Sequence, residues 1–105
     1  MVKIVGNKAE FDEVLASAGD KAVVVDFYAT WCGPCKVIAP YYEELSKQFT
    51  NVVFIKVDVD ENEEVASSAG ISAMPTFQVY KNGKKVGELM GAAKDKLLAL
   101  VEAHK

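Results

Sequence analysis

The residues of this chain best suited to chemistry are its two cysteines, Cys32 and Cys35, which stand two residues apart directly after the only tryptophan, Trp31. A close pair of thiols can cycle between dithiol and disulfide, can form part of a metal site, or can be inert. Tetrahedral zinc takes about four ligands, yet the chain has no other cysteine, and its sole histidine, His104, lies near the C-terminus. A close pair in an intracellular protein is more often catalytic or metal-binding than structural. We therefore favour redox chemistry, with a metal half-site and two structural thiols as the alternatives.

The spacing of the two cysteines suits disulfide exchange. A strand is predicted before Cys32 and a helix after it, so the first sulfur lies at a helix N-terminus, where free backbone N–H groups and the helix dipole stabilise an anion. This position favours the thiolate of Cys32, which attacks, whereas Cys35 should be more covered and resolves the mixed disulfide. Gly33 lets a partner's backbone approach closely, and Pro34 suits the first helical turn.

The direction of the exchange follows from the groups near the sulfurs. No histidine stands between the cysteines, so only the helix dipole, with a weak contribution from Lys36, stabilises the thiolate. A strongly stabilised thiolate would make the pair an oxidant. The pair is therefore predicted to act as a reductant, and an isomerase or oxidant is the alternative within the same chemistry.

A carboxylate lies inside the apolar run that precedes the cysteines. Asp26 has apolar residues on both sides, and burial of an ionised carboxylate is costly, so desolvation should raise the pKa of Asp26. A buried acid that is neutral near physiological pH can exchange protons with a reacting group. The alternative is an aspartate that merely ends or bulges the strand.

Alternating strands and helices are predicted to position these groups. Apolar residues at helical spacing after Asn7 predict a first helix, and the run AVVVDFYA, residues 22–29, is typical of a strand covered on both faces. Residues 33–49 predict a long helix that Pro40 should kink. Its apolar stripe, which includes Val37, is assigned to the core.

In the second half of the chain one more strand and helix alternate, and two consecutive strands then follow. A strand is predicted over residues 52–60 and a short helix over 63–69. Two β-rich runs within 76–90 surround Asn82-Gly83, a strong two-residue hairpin signal, and predict an antiparallel pair at one side of the sheet. An apolar stripe within residues 93–104 predicts a C-terminal helix.

Composition narrows the class of protein. A chain of 105 residues, half of them apolar, fits a single domain over residues 1–105. The net charge of −3 argues against nucleic acid as a partner. The sequence has neither a secretory signal nor an apolar run near the roughly 18 residues of a membrane helix. We therefore expect a soluble, cytoplasmic protein with no membrane partner.

The segments VVVDFYATWCGPCK, SAMPTF, KNG and VGELMGA together resemble the thioredoxin family over nearly the whole chain. The resemblance implies an α/β thioredoxin fold, a mixed sheet of about five strands flanked by about four helices. The cysteines would lie at the C-terminal end of a central strand.

The resemblance also implies roles for residues around the sulfurs. Asp26 would take up the Cys35 proton through water, and Lys56 would lie near this acid, although an ordinary solvated strand lysine is the alternative. Asp60 would accept a hydrogen bond from the Trp31 indole, whereas a loop aspartate needs no such role.

The substrate-binding surface implied by the resemblance surrounds Cys32. The bond before Pro75 would be cis, in a loop that faces the sulfurs, whereas a plain strand start is the alternative reading of this proline. The residues that would form an apolar collar for extended substrate segments are Trp31, Gly33, Pro34, Met74, Gly91 and Ala92. Within the loop, Pro75 would lie where the substrate backbone pairs, and the small Ala73 would keep access open.

The implied activity is reduction of protein disulfides by a reversible Cys32-Cys35 disulfide, with no bound cofactor or metal. Electrons would come from NADPH through a separate thioredoxin reductase, because no GxGxxG dinucleotide loop occurs in the chain. Disulfide-containing client proteins would be the other partners, and the chain would be a monomer. The rival from another class is a binding module whose collar docks on a partner while the thiols only gate that contact.

Overall fold

The computed structural model describes residues 1–105. Its five strands and four helices follow the order β1 (Val2–Ile4), α1 (Lys8–Ser17), β2 (Val23–Tyr28), α2 (Gly33–Gln48), β3 (Val53–Asp58), α3 (Glu63–Ala69), β4 (Thr76–Lys81), β5 (Lys84–Met90) and α4 (Lys94–His104). The strands form one sheet in the order β1-β3-β2-β4-β5. β1 and β2 each run parallel to β3, while β4 is antiparallel to β2 and to β5. The predicted class, a mixed sheet flanked by helices, is confirmed.

Strand β2 lies at the centre of the sheet and is covered on both faces, as its continuous apolar run predicts. Val24 packs on one face, in a core cluster with residues of α2 and α4. Val25 and Phe27 pack in a second cluster with residues of α1 and α3. Helices therefore cover β2 on both faces, and α2 begins a few residues after the end of that strand.

Local signals account for several element ends. The Asn7 side chain accepts a hydrogen bond from the backbone N–H of Glu10 at 2.8 Å, which caps α1 as predicted. Gly70 ends α3 with a φ of 72°, a conformation that favours glycine. Asn82 and Gly83 both have positive φ, which a two-residue hairpin turn requires. The predicted hairpin is confirmed, and β5 forms an edge of the sheet.

Two features depart from the sequence predictions. β1 was not predicted, because it is only three residues long and only Val2 is buried in it; its pairing with β3 makes it a strand. Val37 was assigned to the core but is 72% exposed. Helix α2 buries its Ile38, Tyr42 and Leu45 side against the sheet, so Val37 lies outside that narrower stripe.

A buried amide joins three elements on the α3 side of the sheet. Gln78 of β4 is completely buried, and its Nε2 donates to the Ala69 carbonyl at 3.0 Å and to Glu88 Oε2 at 2.8 Å. Its Oε1 accepts from the Tyr80 hydroxyl at 2.6 Å. These hydrogen bonds link the last residue of α3 to β4 and β5. The loop that contains Pro75 runs between α3 and β4.

None of the helices has the length and apolar character needed to cross a membrane.

Candidate active site

The cysteine pair lies where β2 passes into α2. Cys32 is the N-cap of α2, with extended backbone angles, and Gly33 and Pro34 begin the helix. Cys32 and Cys35 form a disulfide with their Cα atoms 5.3 Å apart. The backbone N–H of Cys35 donates to Cys32 Sγ at 3.1 Å. A helix N-terminal N–H group thus points at the first sulfur, which is the arrangement that stabilises a thiolate.

Exposure does not distinguish the two cysteines as predicted. Cys32 is 5% exposed and Cys35 is 4% exposed, so the two residues are covered almost equally. The reason is that the joined sulfurs share one small apolar cluster with Ala29, against which Met74 and other neighbours pack. The cysteines differ instead in position, because Cys32 caps the helix while Cys35 lies in its first turn.

Asp26 is a buried acid within regular sheet, since it pairs with Lys56 on β3 and with Phe77 on β4. The alternative of a strand end or bulge is therefore wrong. The residue is 3% exposed and its Oδ1 has no hydrogen-bond partner. Burial raises the pKa of Asp26 from 3.8 to about 7, and the positive charge of Lys56 opposes that rise. Asp26 can therefore gain or lose a proton near neutral pH.

A pocket of about 240 Å³ connects the acid to the second cysteine, since both Asp26 and Cys35 line it. Lys56 and Lys36 also line this pocket. Lys56 Nζ lies 5.4 Å from the centroid of the Tyr28 ring, which is a cation–π distance. The expected proximity of Lys56 to Asp26 is present, because the two residues are direct neighbours across β2 and β3.

Trp31 lies in the turn before Cys32, and its ring is exposed. The residue is 67% exposed, and its Nε1 donates to Asp60 Oδ2 at 2.9 Å. The hydrogen bond implied by the resemblance is thus present. It holds the ring of a large apolar side chain in a fixed position beside the cysteines, at the molecular surface.

The loop before β4 carries the cis peptide bond that the resemblance implies, between Met74 and Pro75. The Thr76 hydroxyl donates to the Ala73 carbonyl at 2.7 Å, and the Gly91 N–H donates to the Pro75 carbonyl at 2.9 Å. In contrast, the main-chain N–H and carbonyl of Met74 have no hydrogen-bond partner within the chain. Hydrogen bonds at Ala73 and Pro75 hold the loop in place, while the main-chain N–H and carbonyl of Met74 between them stay free to pair with another chain.

Most residues of the predicted collar lie near the cysteines or are exposed, whereas Ala92 packs against the core. Met74 packs on the cysteine cluster, and Gly91 is bonded to Pro75. Gly91 has a φ of 101°, which disfavours any residue with a Cβ atom. Ala92 differs, because it is half-buried and packs against the core between the sheet, α2 and α4. Ala73, Gly33 and Pro34 are exposed.

Sequence reasoning missed Tyr42 as a member of the site. Tyr42 lines the same pocket as Asp26 and Cys35, and its hydroxyl lies 2.9 Å from the Val24 carbonyl oxygen and 2.7 Å from that of Ile55. Its position in the apolar stripe of α2 assigned it to the core, and nothing in the local pattern shows where the hydroxyl points. No group of three or more histidine, cysteine, aspartate or glutamate residues is arranged to hold a metal ion.

Comparison with known proteins gives a consistent result. The family model described as Thioredoxin matches residues 2–103. Thioredoxin of Oryctolagus cuniculus is 57% identical over 101 residues, which is 96% of this chain and 96% of the relative. The solved structure of Plasmodium falciparum thioredoxin has a TM-score of 0.93 and 53% identity, covering 98% of this chain and 99% of that one. A chain from a crystal structure titled as a complex of ferredoxin:thioredoxin reductase and thioredoxin f2 has a TM-score of 0.93 and 46% identity, covering 97% of this chain and 93% of that one.

Proposed function

The chain belongs to the thioredoxin family and is a protein-disulfide reductase, and we propose that Cys32 attacks the substrate disulfide while Cys35 resolves the intermediate. One observation carries this assignment: Cys32 Sγ accepts the backbone N–H of Cys35 at the start of α2. The same N–H would stabilise a thiolate on Cys32 in the reduced protein. Cys35 has no comparable position, because it is itself part of the first helical turn.

The exchange proceeds in two steps. The Cys32 thiolate attacks one sulfur of the substrate disulfide, so the substrate S–S bond breaks and its other sulfur leaves as a thiolate. Cys35 then loses its proton and attacks Cys32 Sγ, which breaks the mixed disulfide and releases the second substrate thiolate. Two electrons pass from the dithiol to the substrate, and the protein is left with the Cys32-Cys35 disulfide.

Asp26 is the proposed acceptor of the Cys35 proton. It shares a pocket with Cys35, it is buried, and burial raises its pKa to about 7. A base with a pKa near the working pH is the most effective proton acceptor. Lys56, the neighbour of Asp26 across the strands, keeps that pKa from rising further.

An extended segment of the substrate would bind along the Met74–Pro75 loop. The free N–H and carbonyl of Met74 can pair with a substrate backbone, as in recognition by strand addition. The exposed Trp31 ring supplies apolar contact beside Cys32, and the absence of a Cβ at Gly33 and Gly91 leaves room for the substrate chain. Backbone pairing of this kind explains a broad choice of substrate proteins. Pro34 and Ala73, both exposed, complete the proposed surface.

The oxidised protein needs a separate electron donor, for which we propose an NADPH-dependent thioredoxin reductase. The complex of a similar thioredoxin with ferredoxin:thioredoxin reductase supports docking of a reductase on this fold. We further propose that the chain acts as a single-domain monomer in the cytoplasm, on disulfide-containing client proteins. The absence of a histidine between the cysteines supports the reductant direction.

The test is NADPH consumption with thioredoxin reductase and a disulfide-bonded protein substrate. The intact chain is compared with Cys32→Ser and Cys35→Ser, and urea unfolding of each variant against the reduced intact chain controls for the fold. Turnover should be lost in both variants, and a mixed disulfide should accumulate only in Cys35→Ser. A mixed disulfide trapped in Cys32→Ser instead would reverse the assignment, and no turnover by the intact, folded chain would refute the electron route.

A further inference from the structure

A fully buried phenol forms part of the pocket wall. Tyr42 of α2 is 1% exposed, and its hydroxyl lies 2.9 Å from the Val24 carbonyl oxygen and 2.7 Å from the Ile55 carbonyl oxygen. Carbonyl oxygens only accept hydrogen bonds, and a phenol has a single hydrogen. The hydrogen of the Tyr42 hydroxyl is therefore committed to the main chain, and its oxygen is left as an acceptor.

Tyr42 and the buried acid line the same pocket. Val24 precedes Asp26 by two residues on β2, so both side chains are on the same face of the sheet. The Ile55 carbonyl belongs to the peptide that links Ile55 to Lys56, and Lys56 is the direct neighbour of Asp26 across the strands. The Tyr42 hydroxyl is thus hydrogen-bonded to β2, the strand that carries Asp26, and to β3, the strand that carries Lys56.

Three polar side chains in the pocket wall are buried, namely Asp26, Cys35 and Tyr42. Asp26 Oδ1 has no partner within the chain. A bound water molecule needs a cavity of roughly 10–15 Å³ and two to four polar partners. The volume of the pocket, about 240 Å³, is larger than this minimum. The pocket therefore has the volume and the buried polar side chains that a bound water molecule needs.

We propose that Tyr42 is a positioning residue, whose hydroxyl oxygen accepts a hydrogen bond from the water that carries the proton from Cys35 to Asp26. This inference rests on the proposed function. With one hydrogen held by Tyr42, the water directs its other hydrogen to Asp26 and its lone pair to the Cys35 thiol. The Cys35 S–H bond then breaks, the water takes that proton and passes one of its own to the ionised Asp26. The Cys35 sulfur attacks Cys32 Sγ, which breaks the mixed disulfide and releases the substrate sulfur as a thiolate.

Tyr42 itself does not titrate in this scheme. Burial, and after it the negative charge of Asp26, raise the pKa of Tyr42 well above its usual value. The titratable or charged groups that also line the pocket are Asp26, Tyr28 and Lys56 from the sheet and Cys35, Lys36 and Glu43 from α2. Replacement of Tyr42 by phenylalanine leaves all of these charges in place, so it tests the hydroxyl alone.

The experiment follows the two phases of 5-thio-2-nitrobenzoate release when the reduced protein reacts with 5,5′-dithiobis(2-nitrobenzoate), between pH 5 and 9. Tyr42→Phe should slow the second phase, in which Cys35 attacks, by about threefold to tenfold, the factor for one neutral hydrogen bond. The first phase should not change. Tyr41→Phe is the matched control, because Tyr41 is the preceding residue of α2, lies under Lys94 and does not line the pocket.

A merely structural role for Tyr42 would not move the titration of Asp26. We expect the midpoint of the Asp26 carboxyl in ¹³C NMR to rise in Tyr42→Phe and to stay unchanged in Tyr41→Phe. In the unaltered protein, a nuclear Overhauser cross-peak should connect a long-lived water to the Tyr42 ring. An unchanged second phase and midpoint in folded Tyr42→Phe, or the absence of that water, would overturn the proposal.

The variant Asp26→Asn separates failure of this inference from failure of the proposed function. If Asp26→Asn slows the second phase and Tyr42→Phe does not, only the role of Tyr42 is wrong. If Asp26→Asn also leaves the second phase unchanged, the proton assignment is wrong and the inference falls with it.

Discussion

Replacement of Asp26 by asparagine should change how the stability of the protein depends on pH. The pKa of Asp26 is raised from 3.8 to about 7 in the folded state, mainly by burial. Between these two values the folded chain binds more protons at this site than the unfolded chain does. The free energy of unfolding therefore falls as the pH rises through this range. The stabilising contribution is complete below pH 3.8 and is lost once the pH has passed about 7.

The size of the effect follows from the two pKa values. One pKa unit corresponds to 1.36 kcal/mol, so the rise from 3.8 to about 7 costs the folded state about 4 kcal/mol when Asp26 is ionised. Because Asp26 is 3% exposed, solvent does not screen this cost appreciably. Asparagine has the same shape but no titration. The stability of Asp26→Asn relative to the intact chain should rise by about 4 kcal/mol from pH 4 to pH 8.

Urea unfolding of the oxidised proteins at intervals between pH 4 and pH 8 measures this difference. A constant offset between the two chains is expected from the buried amide of asparagine, so the test is the change of the difference with pH and not its value at one pH. Asp20→Asn, at an exposed position, controls for the loss of one negative charge. Parallel curves for the intact chain and Asp26→Asn would refute the argument that burial raises the pKa of Asp26.

Three further substitutions test separate parts of the molecule. Trp31→Ala should raise the KM for a protein disulfide severalfold with little change in kcat, because the residue is 67% exposed and is proposed to contact substrate; a fall in kcat alone would contradict this role. Gln78→Leu leaves three hydrogen-bond partners unsatisfied and should lower the free energy of unfolding in urea by about 2–3 kcal/mol. The exposed control Gln48→Leu should change it by less than about 0.5 kcal/mol, and equal effects would show that the buried network contributes nothing. Gly87→Ala places a Cβ atom 2.8 Å from His104 Cε1 and 3.0 Å from Leu100 Cδ1 and should cost about 1–3 kcal/mol by overpacking. His104→Ala in the same chain should recover part of this cost, and no recovery would show that the contact with His104 is not its cause.

The elements with strong local signals were predicted well. The cap at Asn7, the hairpin turn at Asn82 and Gly83, and the glycine stop at Gly70 each depend on the backbone of a few consecutive residues. Such signals are complete within a short stretch of chain, so they can be read without knowing the fold.

Features that depend on distant partners were not predicted. β1 is a strand because Val2 pairs with Phe54, more than fifty residues away. Val37 follows the apolar pattern of α2 but is exposed, because the docking of the helix on the sheet decides which part of a broad stripe is buried. The similar exposure of Cys32 and Cys35 also reflects shared packing around the disulfide.

The amino-acid sequence by itself determined the redox pair and its buried acid. The spacing of Cys32 and Cys35 at a helix start, and the place of Asp26 in an apolar run, are local facts with direct chemical meaning. Only the tertiary structure decided that Asp26, Cys35 and Tyr42 line one pocket. The reason is physical: a carboxyl, a thiol and a phenol from a strand and a helix meet only when that helix packs across the sheet, and no periodicity along the chain encodes the direction of a single hydroxyl group.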